Sequence, residues 1–346
     1  MPQDELTSSF ENLSSSSFEQ AQSIFITGGT GFFGRALLRQ WKRLADRGSS
    51  VPQVTVGTRS PAVFLRQFPE FSHCAWLRFL ETDILHVDSF PFGTSFTHVL
   101  HAATDSTLGP ALTPLQYYDQ IVSGTRNVLD FAVRSGSKRL LLTSSGAVYG
   151  PQASDVVALD ETCLNSPDSM LSANAYGMGK RAAEHLCALY SHQYGLDTVV
   201  ARCFAFVGPD LPLNVHYAIG NFIRDAILAD HITVRGDGSP LRSYMDQRDL
   251  AYWLLTILYK GRSGEAYNVG SDHAVSVGEL AHTVRDLIAP DKLVHVLGQP
   301  DLGAPRNRYI PSIAKAQEDL GLRVTVGLEE AIRFAADAHL HKIKRP

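Results

Sequence analysis

Ile24-Phe25-Ile26-Thr27-Gly28-Gly29-Thr30-Gly31-Phe32-Phe33-Gly34 reads as a strand, a tight turn and the start of a helix. The glycines at 28, 31 and 34 fall as G-x-x-G-x-x-G. Missing side chains let a backbone approach a pyrophosphate, and the last glycine lets helix and strand pack closely. The helix N-terminus adds free N–H groups and a positive dipole. Glycine spacing alone is a weak signal; its weight here comes from the apolar strand before it and the helix it opens. The stretch points to a dinucleotide held by Gly28, Thr30, Gly31, Phe32, Phe33 and Gly34.

Outward from this turn the same rhythm repeats. Ile24–Thr27, Val54–Thr58, Leu77–Leu80, Thr97–His101, Arg139–Ser144 and Thr198–Cys203 are short, β-rich runs. They lie between helical patterns such as Phe33–Arg47, Pro114–Ser135 and Ala175–Tyr194. Near-continuous apolar strands alternating with helices imply an α/β fold, a doubly wound parallel sheet of Rossmann type. After residue 204 loops richer in Pro and Gly precede helices near Ala218–Ala229, Asp249–Lys260, Ser276–Ala289 and Gly327–His339. The expected division is a flexible arm over 1–22, a dinucleotide-binding domain over 23–204 and a smaller, mainly substrate-binding α/β lobe over 205–346. The second boundary is soft, because a strand can return from the lobe to the first sheet.

Composition removes several classes. Of 346 residues, 44% are hydrophobic and 19% charged, enough for a sizeable core and against wholesale disorder. The net charge of −4 gives no basic surplus for a general nucleic-acid binder. Cys74, Cys163, Cys187 and Cys203 include no CxxC pair, so neither a metal site nor a disulfide framework is expected. No apolar run reaches the ~18 residues of a membrane span, and the first twenty residues hold no Lys or Arg. The expectation is a soluble, cytoplasmic protein with no membrane partner.

An NAD site usually has an acid ~20 residues past the glycines, bonding the ribose 2′-hydroxyl. Here Thr58, Arg59 and Ser60 close the second strand. Arg can pair with a 2′-phosphate, which tips the balance toward NADP and leaves NAD open. Arg59 as a solvated surface residue is the competing reading. Asp83 and Ile84 follow the third strand, where Asp83 can accept from an adenine amino group or cap a turn.

Tyr176 and Lys180 stand at i and i+4 and share a helix face. A cation beside a phenol favours the phenolate and brings its pKa down from ~10. Ser145, after the fifth strand, belongs at the carboxyl end of the sheet, where open α/β folds bind ligands. An isolated Y-x-x-x-K is more often a surface pair; the glycine turn and the Ser-bearing strand end favour catalysis.

With these residues the chain resembles the extended short-chain dehydrogenase/reductase family, in its nucleotide-sugar epimerase/dehydratase branch. The resemblance spans about 23–340. It rests on the glycine turn, His101-Ala102-Ala103, Gly124–Val128, Ser144–Gly150, Tyr176–Lys180, Arg202-Cys203, Gly208-Pro209, Arg242-Ser243-Tyr244 and Tyr267–Gly270. It implies an enzyme acting at C4 of an NDP-hexose, with Tyr176 as acid/base, Lys180 its partner and Ser145 a third catalytic hydroxyl. It adds His101, Ala102, Ala103 and Thr143 to the cofactor side. Thr104, Gly146, Ala147, Ala205 and Asn221 join Ser145 on the substrate side, and Arg242, Arg306 and Arg308 become candidates for the nucleotide diphosphate. It also implies a homodimer through Pro114–Ser135 and Ala175–Tyr194.

Departures narrow the reaction. Sugar 4,6-dehydratases carry an Asp–Glu pair directly after the catalytic Ser or Thr, since elimination needs an acid and a base. Gly146 and Ala147 supply neither, and the Glu of the UDP-glucuronate decarboxylases is missing at the same place. Asp105 is the acid a dehydratase could recruit instead. The Cys of the fucose-forming enzymes is absent, although His216 lies in a plausible loop. Ala205 replaces the usual substrate-touching Asn, and Asp249 reads as a helix cap. A 4-epimerase leads; an NADPH-dependent 4-ketosugar reductase is the alternative, followed by a dehydratase or a non-enzymatic dinucleotide sensor.

Overall fold

Ser23–Thr27 (β1) sits at the centre of the molecule because three of its residues, Ile24, Phe25 and Ile26, have no exposed surface. The computed structural model describes residues 22–104, 112–299 and 306–343. β1 pairs in parallel with Gln53–Thr58 (β2) on one side and His98–His101 (β4) on the other. Leu77–Glu81 (β3) extends the sheet beyond β2. Arg139–Ser145 (β5), Asp197–Cys203 (β6) and Ala266–Val269 (β11) extend it beyond β4. The result is a seven-stranded parallel sheet of order β11-β6-β5-β4-β1-β2-β3. Strand order reverses between β1 and β4, and ligands of such sheets lie outside the carboxyl ends at this point.

Two apolar cores cover the two faces. On one, Phe32–Asp46 (α1) and Gln247–Lys260 (α6) bury Trp41 and Trp253 completely. On the other, Pro114–Arg134 (α3) packs on Ala175–Tyr194 (α4) over Phe25, Phe96 and Phe131. α3 starts with a capping box: Thr113 accepts from the Gln116 N–H while the Gln116 side chain accepts from that of Thr113. α4 stops at Gly195, whose left-handed backbone favours glycine. The sequence-based boundaries differ from these by one or two residues at most ends, where last turns fray.

Small strands organise the C-terminal part around Ala218–Leu228 (α5), Val277–Ile288 (α7) and Leu328–Ile343 (α9). Leu241–Arg242 (β9) pairs with Val275–Ser276 (β12) and with Arg308–Tyr309 (β14). Phe206–Val207 (β7) pairs with Met245–Asp246 (β10). These short strands escape a reading based on periodicity, because two residues display no period. One cap differs from expectation. Asp246, not Asp249, caps α6 by accepting from the Arg248 N–H at 2.7 Å. Asp249 lies inside the first turn, fully buried, and accepts from the Thr325 and Val326 N–H groups and the Thr325 hydroxyl. No described helix is long and apolar enough to cross a membrane.

Candidate active site

β5 ends on Ser145, which lies level with Cys203 of β6. The Ser145 hydroxyl accepts from the Ala147 N–H at 3.2 Å and so caps the short turn Gly146–Tyr149. α4 begins at Ala175, which brings Tyr176 and Lys180 over this turn one helical turn apart. The Tyr176 phenol is within hydrogen-bonding reach of Ser145. Tyr117 of α3 stacks on the Tyr176 ring at 5.5 Å. The buried Lys180 ammonium donates to Thr143 O at 2.8 Å and to Thr104 Oγ1 at 3.0 Å. It stands 6.0 Å from the centre of the Tyr176 ring.

The electrostatics differ from the expectation of an activated phenolate. Burial pushes the Tyr176 phenol up to about 12, and its bond to Ser145 offsets this only in part. Burial pulls Lys180 down to about 8. In the chain by itself desolvation therefore outweighs the cation–phenol attraction, because Lys180 is aimed at two neutral oxygens rather than at the phenol.

The glycine turn fits a dinucleotide. Gly28 has φ +74°, and a Cβ there would lie 2.3 Å from Ala102 O, so the turn rests directly on the backbone after β4. α1 begins after Gly31 with no side-chain cap and no acid in its first turn, leaving its N–H groups for an anion. Phe32 and Phe33 are half-buried against Phe206, Gly34 is buried, and the Thr30 and Thr58 hydroxyls approach to 3.4 Å.

The His101 ring turns away from this surface. It bridges Thr27 Oγ1 at 2.7 Å and Thr125 Oγ1 at 3.1 Å, and burial with Lys180 lowers it to about 3. His101 thus fixes the strand end, while Ala102 and Ala103 border the turn and Thr143 donates to His101 O. Asp83 accepts from the Leu85 N–H at 3.0 Å, the turn-capping arrangement, and Ile84 packs where a Gly124 side chain would be. Arg59 is exposed at the end of β2 without an ion pair among the described residues, and Ser60 precedes the helix Pro61–Gln67 (α2) without capping it.

The sugar side contains residues that sequence reasoning missed. Tyr309 of β14 is within hydrogen-bonding reach of Ser145, so two phenols share one hydroxyl. Its ring packs on Phe204 at 4.7 Å. A Cβ on Gly146 would lie 2.6 Å from Tyr309 Oη and 2.7 Å from the Phe204 ring. The space a side chain at position 146 would need is therefore filled by two aromatic side chains from distant segments. The available signal was Tyr309 beside Arg308, overshadowed by the arginine.

Arg242 lies level with Tyr309 across β9 and β14, and its charge reaches both Tyr309 and Tyr244. Arg308 is partly buried on the same strand. Arg306 is exposed and acts electrostatically on Asp237 and Glu279. Asn221 binds Arg224 at 2.9 Å, and Ala205 uses its carbonyl to accept from Met245 N–H. His216 is exposed against Tyr217. Asp105 lies outside the described residues. Arg202 is held by both oxygens of Glu184 and by the Tyr149 hydroxyl, a support beneath Ser144.

This arrangement has counterparts. UDP-glucuronic acid decarboxylase 6 of Arabidopsis thaliana is 29% identical over 320 residues, covering 91% of this chain and 88% of that protein. Among solved structures, UDP-glucose 4-epimerase from Thermotoga maritima with UDP-glucose superposes with a TM-score of 0.76 at 22% identity, covering 93% of this chain and all of that one. RMD from Pseudomonas aeruginosa complexed with NADPH gives 0.75 at 23% identity, covering 93% and 99%. At such identities the structural likeness is one of fold. The profile of the NAD dependent epimerase/dehydratase family matches residues 24–270, the whole seven-stranded sheet with its glycine turn and its Ser-Tyr-Lys group, and the chain is an enzyme belonging to that family.

Proposed function

We propose that the enzyme is a 4-epimerase of a nucleoside-diphosphate hexose. The observation carrying this reading is Ser145, Tyr176 and Lys180 gathered at one strand end, with Gly146 packed beneath Tyr309 and Phe204. Such a group can oxidise and reduce one carbinol, and positions 146 and 147 offer no carboxyl for elimination. In its phenolate form Tyr176 Oη takes the proton of the C4 hydroxyl and later returns it, while Ser145 holds the same oxygen. Lys180, fixed by Thr143 and Thr104, keeps positive charge beside the phenol. Gly28, Gly31 and the start of α1 would hold a nicotinamide dinucleotide, which would supply hydride chemistry at C4. Arg242 and Arg308 are suited to the diphosphate.

The proposal assigns the dinucleotide mainly to residues 23–204 and the sugar nucleotide mainly to 205–346. It includes a homodimer through α3 and α4, where Leu115, Leu189 and Tyr194 are exposed. The free cysteines suit a reducing cytoplasm.

A second reading, an NADPH-dependent 4-ketosugar reductase, is favoured by the unpaired Arg59 and by the high pKa of Tyr176, since reduction needs a phenol as acid. The likeness to a UDP-glucuronic acid decarboxylase favours a third, decarboxylation of UDP-glucuronic acid. One experiment separates them. Purified enzyme is denatured to identify any released dinucleotide, and native enzyme is incubated with UDP-glucose and with UDP-glucuronic acid. Retained NAD with UDP-galactose formed supports the epimerase. An empty site that selects NADPH supports the reductase and rejects the epimerase; carbon dioxide release from UDP-glucuronic acid supports the decarboxylase and rejects both.

A further inference from the structure

A cavity of about 270 Å³ opens between α1, the start of α6 and α9, lined among others by Gln40, Arg43, Arg248 and Phe334. It belongs neither to the glycine turn nor to the Ser-Tyr-Lys group. Gln40 is only 4% exposed, and its side chain lines the cavity wall. Arg43, half-buried on the next turn of α1, has no carboxylate partner among the described residues and faces the like charges of Arg248 and Arg47. Arg248 is neutralised by Asp246 and Glu330, and Arg39 by Asp210. The Arg43 guanidinium, with no ion pair among the described residues, and the Gln40 amide line the same space. The rest of the lining is apolar: Phe334, already stacked under Arg248 at 4.6 Å, Ala36 and Ala338.

We propose that this cavity is a binding site for a small oxyanion carried on a flat apolar body. The guanidinium of Arg43 and the amide of Gln40 bind the oxyanion, and the body lies on the Phe334 side. Guanidinium and amide N–H groups both suit an oxyanion, and the volume admits a ring with one phosphate or carboxylate. Gln247 lines the same cavity and donates to Phe32 O, at the first residue of α1, at 2.7 Å. Occupancy is thereby in contact with the end of the helix that opens the dinucleotide site.

Calorimetric titration of the full-length enzyme with phenyl phosphate tests the proposal. Binding is expected in the wild type and weaker by about tenfold or more in Arg43→Ala and in Gln40→Leu, the loss of one charged or buried polar contact. Arg242→Ala is expected to bind phenyl phosphate like the wild type. The melting temperature of Arg43→Ala should change little, because the side chain has no carboxylate partner among the described residues. No binding to the wild type, undiminished binding to Arg43→Ala, or loss in Arg242→Ala alone each overturns the proposal.

Discussion

Gly146→Ala is the smallest change that probes the sugar side of the site. Its Cβ would lie 2.6 Å from Tyr309 Oη and 2.7 Å from the Phe204 ring, where ordinary contact begins at 3.4 Å. Both neighbours must therefore retreat by about 0.7–0.8 Å, a shift worked from those three distances. The clashing atoms are the far ends of side chains, so the stability loss belongs near 1 kcal/mol, the low end for overpacking. The chemical loss is expected to be larger, because Tyr309 interacts with Ser145 and a shift of its phenol disturbs that hydroxyl. Misplacement of ~1 Å in a reacting group can lower a rate by about a hundredfold. Expected results are a melting temperature within a few degrees of wild type, unchanged dinucleotide affinity, and a fall in kcat of about tenfold to a hundredfold. The assay is conversion of UDP-galactose followed through a coupled UDP-glucose dehydrogenase, beside a dinucleotide titration. Wild-type kcat in Gly146→Ala would refute the reasoning, since Tyr309 would then be dispensable to the positioning of Ser145.

Tyr176→Phe should retain dinucleotide binding and lose turnover by at least about a hundredfold, as removal of a general acid/base does; single-turnover kinetics would reveal any residual proton transfer. Lys180, pulled down to about 8, makes activity and stability respond oppositely to alkali. Turnover should fall above about pH 8 as the ammonium loses its proton, and Lys180→Arg should remove that alkaline limb. Between pH 8 and the ordinary lysine value of 10.5 the unfolded chain binds more protons, so stability rises with pH. This contribution is complete above 10.5 and lost as the pH falls through 8; melting curves of Lys180→Met should lack that rise. Arg59→Ala should weaken NADPH more than NADH if the guanidinium meets a 2′-phosphate, by about tenfold for one charged hydrogen bond; equal weakening of both would remove Arg59 from discrimination.

Long periodic elements were legible before any coordinates. Ala175–Tyr194 is a helix over the same residues in both readings, because Gly195 ends it and its apolar face has a core to meet. Ser145, Tyr176 and Lys180 were legible because strand end and helix face are local geometry. Tyr309 and Phe204 were not, since their meeting above Gly146 depends on the pairing of β9 with β14, and two-residue strands leave no pattern. His101 was correctly located at the strand end, but the direction of its ring depends on Thr27 and Thr125, which are remote in sequence. Gln247 and Arg248 had no account from sequence; one ties α6 to Phe32 and Asp210, the other to Asp246 and Glu330.

The outermost strand β11 has a consequence for how the chain is made. It is added to β6 only after more than sixty residues of the second half have been threaded, with the buried helix α6 just before it. While the polypeptide emerges from the ribosome, β6 displays a bare row of N–H and C=O groups until residue 269 is available. An exposed strand of this kind is a template for pairing with another chain. A fragment ending near residue 204 would therefore be sticky rather than self-sufficient, and splitting the gene there for domain swaps would yield aggregates. A split placed after residue 270 leaves β11 on β6 but parts β9 from β12 and β14 and Asp249 from Thr325, so the two halves would have to find each other before either is complete.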